Sequence, residues 1–299
     1  MSTATRRATF AVITIATALA ATACSSSSSP SASSSAPASA SPLAADSASP
    51  SASKSAFSSA KVAVKAQPVG TVRLGLPGGK VSAAFDITGL APGIKHAVDI
   101  VPGSCAQPRS DSALVSFPTV TDDDFGNLKT TVQSTQSGLR ALPGNAVLVV
   151  RLSDGDSRQQ KEPIACVPLP SGVPDGSPVK VQPAGSTKRE GDATVAYDAA
   201  TKTYTVKVKA TGLAANSRHA AHLHQGTCTK QGPVLVMLGD LTADDQGVID
   251  MTVKVPDQSA QLTGATYLNI HLGDGSQILS KDKKPTPLFQ PLLCGPVTT

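Results

Sequence analysis

The sequence predicts an all-β protein in which two tandem antiparallel β-sandwich or barrel domains follow an N-terminal tether. Strand-like alternation of apolar and polar residues, as in Thr203–Ala210, is the first indication. Clusters of glycine, proline and aspartate separate such runs at short intervals, and no run has the period of an amphipathic helix. A tandem repeat is the third indication, and it places one β domain in each half of the chain.

The N-terminal residues predict export and attachment to a membrane. Residues 1–23 contain two basic residues, Arg6 and Arg7, and a short apolar run, as in a secretory signal. The apolar run is too short to span a bilayer. The signal ends in Leu-Ala-Ala-Thr-Ala before Cys24, which resembles a bacterial lipobox, so we expect Cys24 to carry the lipid anchor. The alternative is an ordinary signal cleaved near Ala23.

A low-complexity segment follows the signal. Residues 25–60 are almost entirely serine, alanine and proline, a composition that cannot bury enough apolar surface to fold. We therefore predict that residues 24–66 comprise the lipidated Cys24 and a disordered tether. The net charge of +5 includes no dense basic run, and tryptophan is absent, so the sequence lacks a stacking platform for single-stranded nucleic acid. No nucleic-acid role is expected.

Four blocks of sequence recur in the same order in the two halves of the chain, which predicts a tandem duplication. The pairs are Thr88–Cys105 with Thr211–Cys228, Thr121–Gly126 with Thr242–Gly247, Val150–Gly155 with Ile270–Gly275, and Ile164–Pro168 with Leu292–Pro296. The predicted division of the chain after the tether is a first β domain at 67–170, a linker at 171–182 and a second β domain at 183–299.

The repeat also sorts the cysteines. Each copy has one cysteine after its first block and one near its end, namely Cys105 and Cys166 in the first copy and Cys228 and Cys294 in the second. Four cysteines allow three connectivities, and the repeat favours pairing within each copy. Export to an oxidising compartment permits both bridges. Cys24 is then the odd cysteine, which a lipobox requires.

Histidine is concentrated in one part of the second copy. His222 and His224 are two residues apart on a predicted strand, so both face the same side, with Cα atoms roughly 6.5 Å apart. His271 lies in another strand-like run, from which it can provide a third ligand. Three imidazoles suit copper or zinc, so the second domain is predicted to bind a metal ion. The alternative is a solvent-facing His-x-His pair without a metal.

The first copy lacks all three of these histidines. It has Asp99, Val101 and Arg151 at the matching positions, whereas the cysteines and the Thr-Gly-Leu turn are retained. The scaffold therefore does not need the three histidines in order to fold, and the first domain is expected to bind no metal. His96 and His219 occupy the same place in both copies, so we predict a structural role for them.

The second copy resembles the copper/zinc superoxide dismutase family. His219-Ala-Ala-His-Leu-His224 is similar to the family's copper strand, and Thr242–Asp250 is similar to the strand and turn that follow. His271 matches the third copper histidine, and Leu293-Cys-Gly295 matches the family's closing motif. The resemblance implies a Greek-key β-barrel over about residues 190–297, and more weakly over 67–170. A chordin-type (CHRD) domain is a second relative with a similar His-x-His strand.

The sequence differs from that family at the zinc ligands and at the arginine that guides anions to the copper. Val234 and Met237 stand where the family has zinc histidines, so Asp240 is the only zinc-type ligand left and we expect it to be structural. Pro291 stands where the family has its anion-guiding arginine. Lysines in one loop could replace that arginine by raising the local positive potential; a solvated loop is the alternative reading of Lys281, Lys283 and Lys284.

The N-terminal signal predicts an exported, membrane-anchored lipoprotein, and the resemblance implies that its second domain holds one copper ion and no zinc. One expected function is copper-only dismutation of superoxide, with no catalytic residue assigned beyond the metal ligands. The alternatives are a non-catalytic copper-binding or scavenging protein, with a copper donor or acceptor as its partner, and a cell-surface β-sandwich binding module. The sequence leaves the oligomeric state open.

Overall fold

The computed structural model describes residues 59–256, 258 and 262–298. The predicted signal at 1–23, Cys24 and the Ser/Ala/Pro-rich segment up to residue 58 lie outside these residues. Among the residues that are described, no helix is long and apolar enough to cross a membrane.

The regular structure of the described residues consists of strands, apart from two short 3-10 turns at Pro77–Gly79 and Pro287–Phe289. In chain order the strands are β1 (Ser59–Ala66), β2 (Val69–Gly75), β3 (Ser82–Thr88), β4 (Lys95–His96), β5 (Val98–Pro102), β6 (Val115–Ser116), β7 (Val120–Thr121), β8 (Leu128–Gln133), β9 (Ala146–Arg151), β10 (Pro163–Pro168), β11 (Pro178–Pro183), β12 (Glu190–Asp198), β13 (Thr203–Thr211), β14 (Arg218–Thr227), β15 (Lys230–Thr242), β16 (Ile249–Val255), β17 (Thr266–His271) and β18 (Pro291–Pro296).

The larger strands form two curled antiparallel sheets, and the all-β prediction is confirmed. The first sheet has the order β6-β5-β9-β10-β11-β2-β3-β8, and the second has the order β15-β14-β17-β18-β1-β12-β13-β16. Strands β4 and β7 form a separate two-stranded sheet beside the first. The two orders match position by position, because the repeat gives each copy the same set of strands.

Each sheet curls around its own apolar core. In β13, Tyr204, Val206 and Val208 are fully buried, whereas Lys207 and Lys209 on the other face are exposed, as the period-2 pattern predicts. Strands β9 and β17 are buried at every position, so both of their faces are covered. The inner face of each belongs to the core, and the outer face is where the two copies differ.

The two copies exchange one strand. Strand β1 precedes the first copy in the chain, yet it pairs with β12 and β18 in the second sheet. Strand β11 precedes the second copy, yet it pairs with β2 and β10 in the first sheet. Their sequences are related, Val-Lys-Ala-Gln-Pro at 64–68 and Val-Lys-Val-Gln-Pro at 179–183. Each sheet is therefore completed by the equivalent strand of the other copy.

This exchange changes two boundaries that were drawn from the sequence. Residues 59–66, which the composition assigned to the tether, form β1. Residues 178–182, which were assigned to the linker, lie in β11. The composition did not reveal β1, because this eight-residue strand is alanine-rich and no turn residue separates it from the tether sequence. A polypeptide limited to 183–299 would lack the strand that joins β12 to β18.

The Thr-Gly-Leu motif closes the same turn in both copies. Gly89 and Gly212 have φ angles of 79° and 81°, a backbone conformation that residues with a Cβ rarely adopt. The next residue then donates its backbone N–H to another glycine, Leu90 to the Gly126 carbonyl at 3.0 Å and Leu213 to that of Gly247 at 3.2 Å. Retention of these blocks in both copies thus reflects backbone geometry.

Both disulfides form within a copy. Cys105 pairs with Cys166 and Cys228 pairs with Cys294, with sequence separations of 61 and 66 residues. The pairing favoured by the repeat is the one that the structure contains. Two disulfides are consistent with export to an oxidising compartment.

Candidate metal centre

Three histidines meet on the outer face of the second sheet. Strand β14 carries His222 and His224, and its inward-facing residues Ala221 and Leu223 belong to the core. Strand β17 pairs with β14 and ends at His271. Alternation along both strands places the three imidazoles on the face opposite the core. The exposed fraction is 2% for His222 and His224 and 0% for His271.

The three imidazoles are close enough to share one metal ion. One nitrogen from each ring lies within 4.8 Å of the others. The Nδ1 of His222 is 3.2 Å from the Nε2 of His271, and ring centroids are between 5.1 and 6.0 Å apart. Nitrogens that both bind a metal at about 2.0–2.1 Å lie roughly 3 Å apart, so only small movements would complete the site.

Backbone carbonyls fix the orientation of two of the rings. The Nδ1 of His224 donates to the Gly232 carbonyl at 2.9 Å, and the Nδ1 of His271 donates to the Phe289 carbonyl at 2.6 Å. In the neutral imidazole the Nε2 then carries the lone pair that can bind a metal. The Nε2 of His271 accepts a hydrogen bond from the Nδ1 of His222 at 3.2 Å, which a bound metal would replace. The Nε2 of His224 is buried and has no hydrogen-bond partner within the described part of the chain, as expected for a metal-ligand atom.

Burial keeps the imidazoles neutral. Desolvation, reinforced by the neighbouring His224, lowers the pKa of His222 to about 4. Desolvation, with a further contribution from His222, lowers the pKa of His271 to about 3. Burial also lowers the pKa of His224, which its hydrogen bond to Gly232 partly opposes. Neutral imidazole is the form that binds metals, so the site is ready for one at neutral pH.

Aromatic side chains and one amide complete the surroundings of the histidines. Tyr267 stacks on His224 with ring centroids 5.0 Å apart, and Phe289 lies 4.3 Å from His271. Burial raises the pKa of Tyr267, which the backbone of Gly232 opposes. Asn269 lies between Tyr267 and His271 on the same face of β17 and is 0% exposed. Motif reasoning missed Tyr267 and Asn269, although the alternation in Tyr267-Leu-Asn-Ile-His271 would have placed them beside the site.

The two histidines present in both copies make equivalent contacts outside the site. The Nδ1 of His96 donates to the Arg151 carbonyl at 2.8 Å, and the Nδ1 of His219 donates to the His271 carbonyl at 2.8 Å. The Nε2 of His96 is 3.3 Å from Asp122, and that of His219 is 2.7 Å from the Ser217 hydroxyl. Both rings therefore hold the end of the strand that carries the third ligand position.

The remaining residues singled out by the sequence lie on β15 and on the loop between β17 and β18. Asp240 accepts hydrogen bonds from the Arg218 side chain at 2.7 Å and the Gly275 backbone at 2.8 Å. Met237 is the cross-strand partner of His222, and its side chain is 61% exposed. The loop between β17 and β18 carries three exposed lysines, Lys281, Lys283 and Lys284.

The first copy has an ion pair where the second has histidines. The Nε of Arg151 donates to the Asp99 carboxylate at 2.7 Å, and both side chains are nearly buried. Arg151 also donates to the Lys161 and Ser110 carbonyls, each at 2.8 Å. Val101, at the position of His224, lies in a small apolar cluster. In the first copy, the charged groups on this face are therefore paired within the protein.

The first domain contacts the residues next to the two orienting carbonyls. Gln231, which precedes Gly232, donates to the Leu90 carbonyl at 2.9 Å. Gln290, which follows Phe289, donates to the Gly89 carbonyl at 2.8 Å and accepts from the Ala91 N–H at 3.2 Å. Both glutamines are buried, so the Gly89–Ala91 turn of the first copy supports the backbone that orients His224 and His271.

Comparison with known families bears on the second copy. The family model for the CHRD domain matches residues 175–276. This matched segment, about a third of the 299 residues, contains all three histidines and supports the second of the two resemblances drawn from the sequence. A search of curated proteins finds no match to the chain.

The CHRD-matched segment covers most of the second copy of the repeat. It begins just before β11, the strand that pairs in the first sheet, and it extends beyond β17. It does not include β1 or β18, so the sheet that carries the histidines is completed by residues from outside the matched segment.

Proposed function

We propose that the protein is an exported, membrane-anchored lipoprotein whose second β domain binds one copper ion through His222, His224 and His271. The observation that carries the proposal is the convergence of three neutral, buried imidazoles in one copy of a repeat whose other copy has none of them. A Greek-key barrel of superoxide dismutase type and an anchor at Cys24 are parts of the same proposal.

Copper is favoured over other metals by the ligand set. Three imidazoles suit copper, zinc, iron and nickel, and copper binds most tightly among the divalent first-row metals. The site offers no carboxylate among its three converging groups, which disfavours calcium, magnesium and manganese. Asp240, the one zinc-type ligand suggested by the sequence, is already engaged by Arg218 and Gly275, so we propose no zinc site there.

Copper retention without turnover is the function that the geometry supports best. All three ligand side chains are at most 2% exposed, so exchange of a bound ion with solvent requires local movement. Such burial suits a protein that scavenges or stores copper outside the cytoplasm and exchanges it with a donor or acceptor.

Superoxide dismutation is the second candidate. Three exposed lysines lie on the loop that also provides the Phe289 carbonyl to His271, and positive charge near a site speeds the arrival of anions. Copper held by His222, His224 and His271 would supply the one-electron redox chemistry that dismutation of superoxide requires. In this chain the neutral histidines would hold the metal, and the lysine loop would attract the anion.

The test uses the whole mature chain, because the second sheet contains β1. The protein is loaded with Cu(II), freed of excess metal, and examined for copper content and by EPR. One copper per chain with nitrogen hyperfine structure is expected. The matched control carries the residues of the first copy, His222→Asp, His224→Val and His271→Arg, and should fold but retain no copper.

Equal copper in the wild-type and control proteins would refute the site. A superoxide assay then separates the two functions, since turnover that is lost in the control supports the dismutase and copper without turnover supports retention. If the wild-type protein binds no metal, a surface β-sandwich binding module becomes the better description.

A further inference from the structure

We infer that Asn269 is a ligand-binding residue of the metal centre, whose carboxamide forms a hydrogen bond to a water or small anion bound beside the three histidines. The inference rests on the proposed metal site and adds a hydrogen-bonding position for a second, exogenous ligand. It concerns a residue that no sequence motif singled out.

Burial of the Asn269 amide costs desolvation free energy that no hydrogen bond among the described residues offsets. Its side chain is 0% exposed, and neither its Oδ1 nor its Nδ2 has a hydrogen-bond partner among the described residues. Most buried polar side chains are hydrogen-bonded, because an unpaired buried group loses its hydration without compensation. An amide in this state needs a partner other than the protein.

A second unpaired polar atom lies on the same face. Besides the Asn269 amide, the Nε2 of His224 is buried and has no hydrogen-bond partner among the described residues. Asn269 is the cross-strand partner of His222, and it lies two residues from both Tyr267 and His271 on β17. Cross-strand partners have Cβ atoms about 4.5–5.5 Å apart, so the amide lies next to the ligand set.

The first copy shows that the scaffold does not require an amide here. Val149 occupies the position of Asn269, since it is the cross-strand partner of Asp99 as Asn269 is of His222. Val149 is 0% exposed and packs with Val101 and Val147, which match His224 and Tyr267. The change from three valines to Asn, His and Tyr thus coincides with the appearance of the three metal ligands.

The chemistry of the amide indicates the class of ligand. The Nδ2 group can donate to a metal-bound anion such as superoxide, and Oδ1 can accept from a metal-bound water. A neutral amide adds no charge to a site whose imidazoles burial keeps neutral. A small anion or water of one to three atoms fits a buried face better than a peptide or a sugar.

The first experiment measures the thermal stability of the metal-free protein with Asn269→Val, the residue of the first copy. Removing an unpaired buried amide should raise the melting temperature. A structural asparagine would give the opposite result, so a lower melting temperature for this variant would overturn the inference.

The second experiment titrates azide into the copper-loaded protein and follows the charge-transfer absorption and the EPR spectrum. Asn269→Val should keep its copper and bind azide about tenfold more weakly, as expected for the loss of one hydrogen bond. Asn269→Ala serves the same purpose if the valine variant does not fold. Unchanged azide affinity with full copper content would overturn the inference, whereas a wild-type protein without copper would refute the metal site itself.

Discussion

The outer faces of the two sheets occupy the same place in a repeated scaffold and are satisfied in different ways. In the first sheet, Asp99 and Arg151 neutralise each other, and the neighbouring positions are valines. In the second sheet, the same positions hold neutral histidines, a tyrosine and an asparagine. Among the described residues, the Nε2 of His224 and the Asn269 amide find no hydrogen-bond partner. The charged groups of the first face pair with each other, whereas the second face brings together three histidines that could hold a metal ion.

The comparison also shows how each sheet depends on the other copy. The histidine-bearing strand β17 pairs with β18, and β18 pairs with β1, which comes from the start of the described chain. The Gly89–Ala91 turn of the first copy meanwhile holds Gln290, which follows the carbonyl that orients His271. The first domain therefore supports the candidate metal centre, although it lacks the three histidines itself.

The largest expected effect comes from removing β1. Deletion of residues 59–66 takes away a strand whose Val62 and Val64 are buried in the core of the second sheet. We expect loss of cooperative unfolding for the second sheet and loss of copper, measured by calorimetry and metal analysis. Deletion of residues 25–58 is the control and should leave both unchanged. A folded, copper-binding protein without residues 59–66 would contradict the strand exchange.

Breaking the ion pair of the first copy should have the next largest effect. Asp99→Ala leaves the Arg151 guanidinium nearly buried without its carboxylate, which typically costs about 3–5 kcal/mol. His222→Ala, the matching change in the second copy, removes a neutral ring and should cost about 1 kcal/mol in the metal-free protein. Denaturant unfolding of both variants measures the difference. Equal losses would mean that the histidines stabilise the fold as the ion pair does.

Acid should destabilise the metal-free second sheet. Folding lowers the pKa of His222 to about 4 and of His271 to about 3, so the unfolded chain binds more protons as the pH falls below about 6.5. Stability is full above that pH and declines as the pH approaches 4, by roughly 2 kcal/mol for each histidine at pH 5. Unfolding measured between pH 7 and 5 tests this. The double variant His222→Asn and His271→Asn should show a weaker decline.

The smallest expected effect concerns the contact between the two domains. Gln290→Leu removes the hydrogen bonds to Gly89 and Ala91 but leaves the Phe289 carbonyl in place. We expect a change in the copper hyperfine coupling and a loss of copper affinity of less than tenfold, because residues beyond the ligands tune a metal site less than the ligands do. Thr298→Ala, a remote exposed contact in the same sheet, is the control and should leave the spectrum unchanged.

Much of the candidate site was accessible from the sequence. The spacing of His222 and His224 fixed their common face, and the repeat made the absence of all three histidines in the first copy visible. Asn269 was missed because it belongs to no motif. The inference about it rests on its amide lacking a hydrogen-bond partner among the described residues, which only the structure reveals. The Asp99–Arg151 pair was missed because the two residues are 52 positions apart and join only through β5 and β9.

The sequence by itself determined the period of the strands, the glycine turns of both copies and the pairing of cysteines within each copy. These features depend on local backbone geometry or on counting within a repeat. The tertiary structure alone decided that β1 joins the second sheet and β11 the first. The two strands have related sequences and either could extend either sheet, so the choice depends on long-range packing that no local pattern contains. The same packing buries the three histidines and Asn269 together, and this placement is the basis of the proposed metal and ligand site.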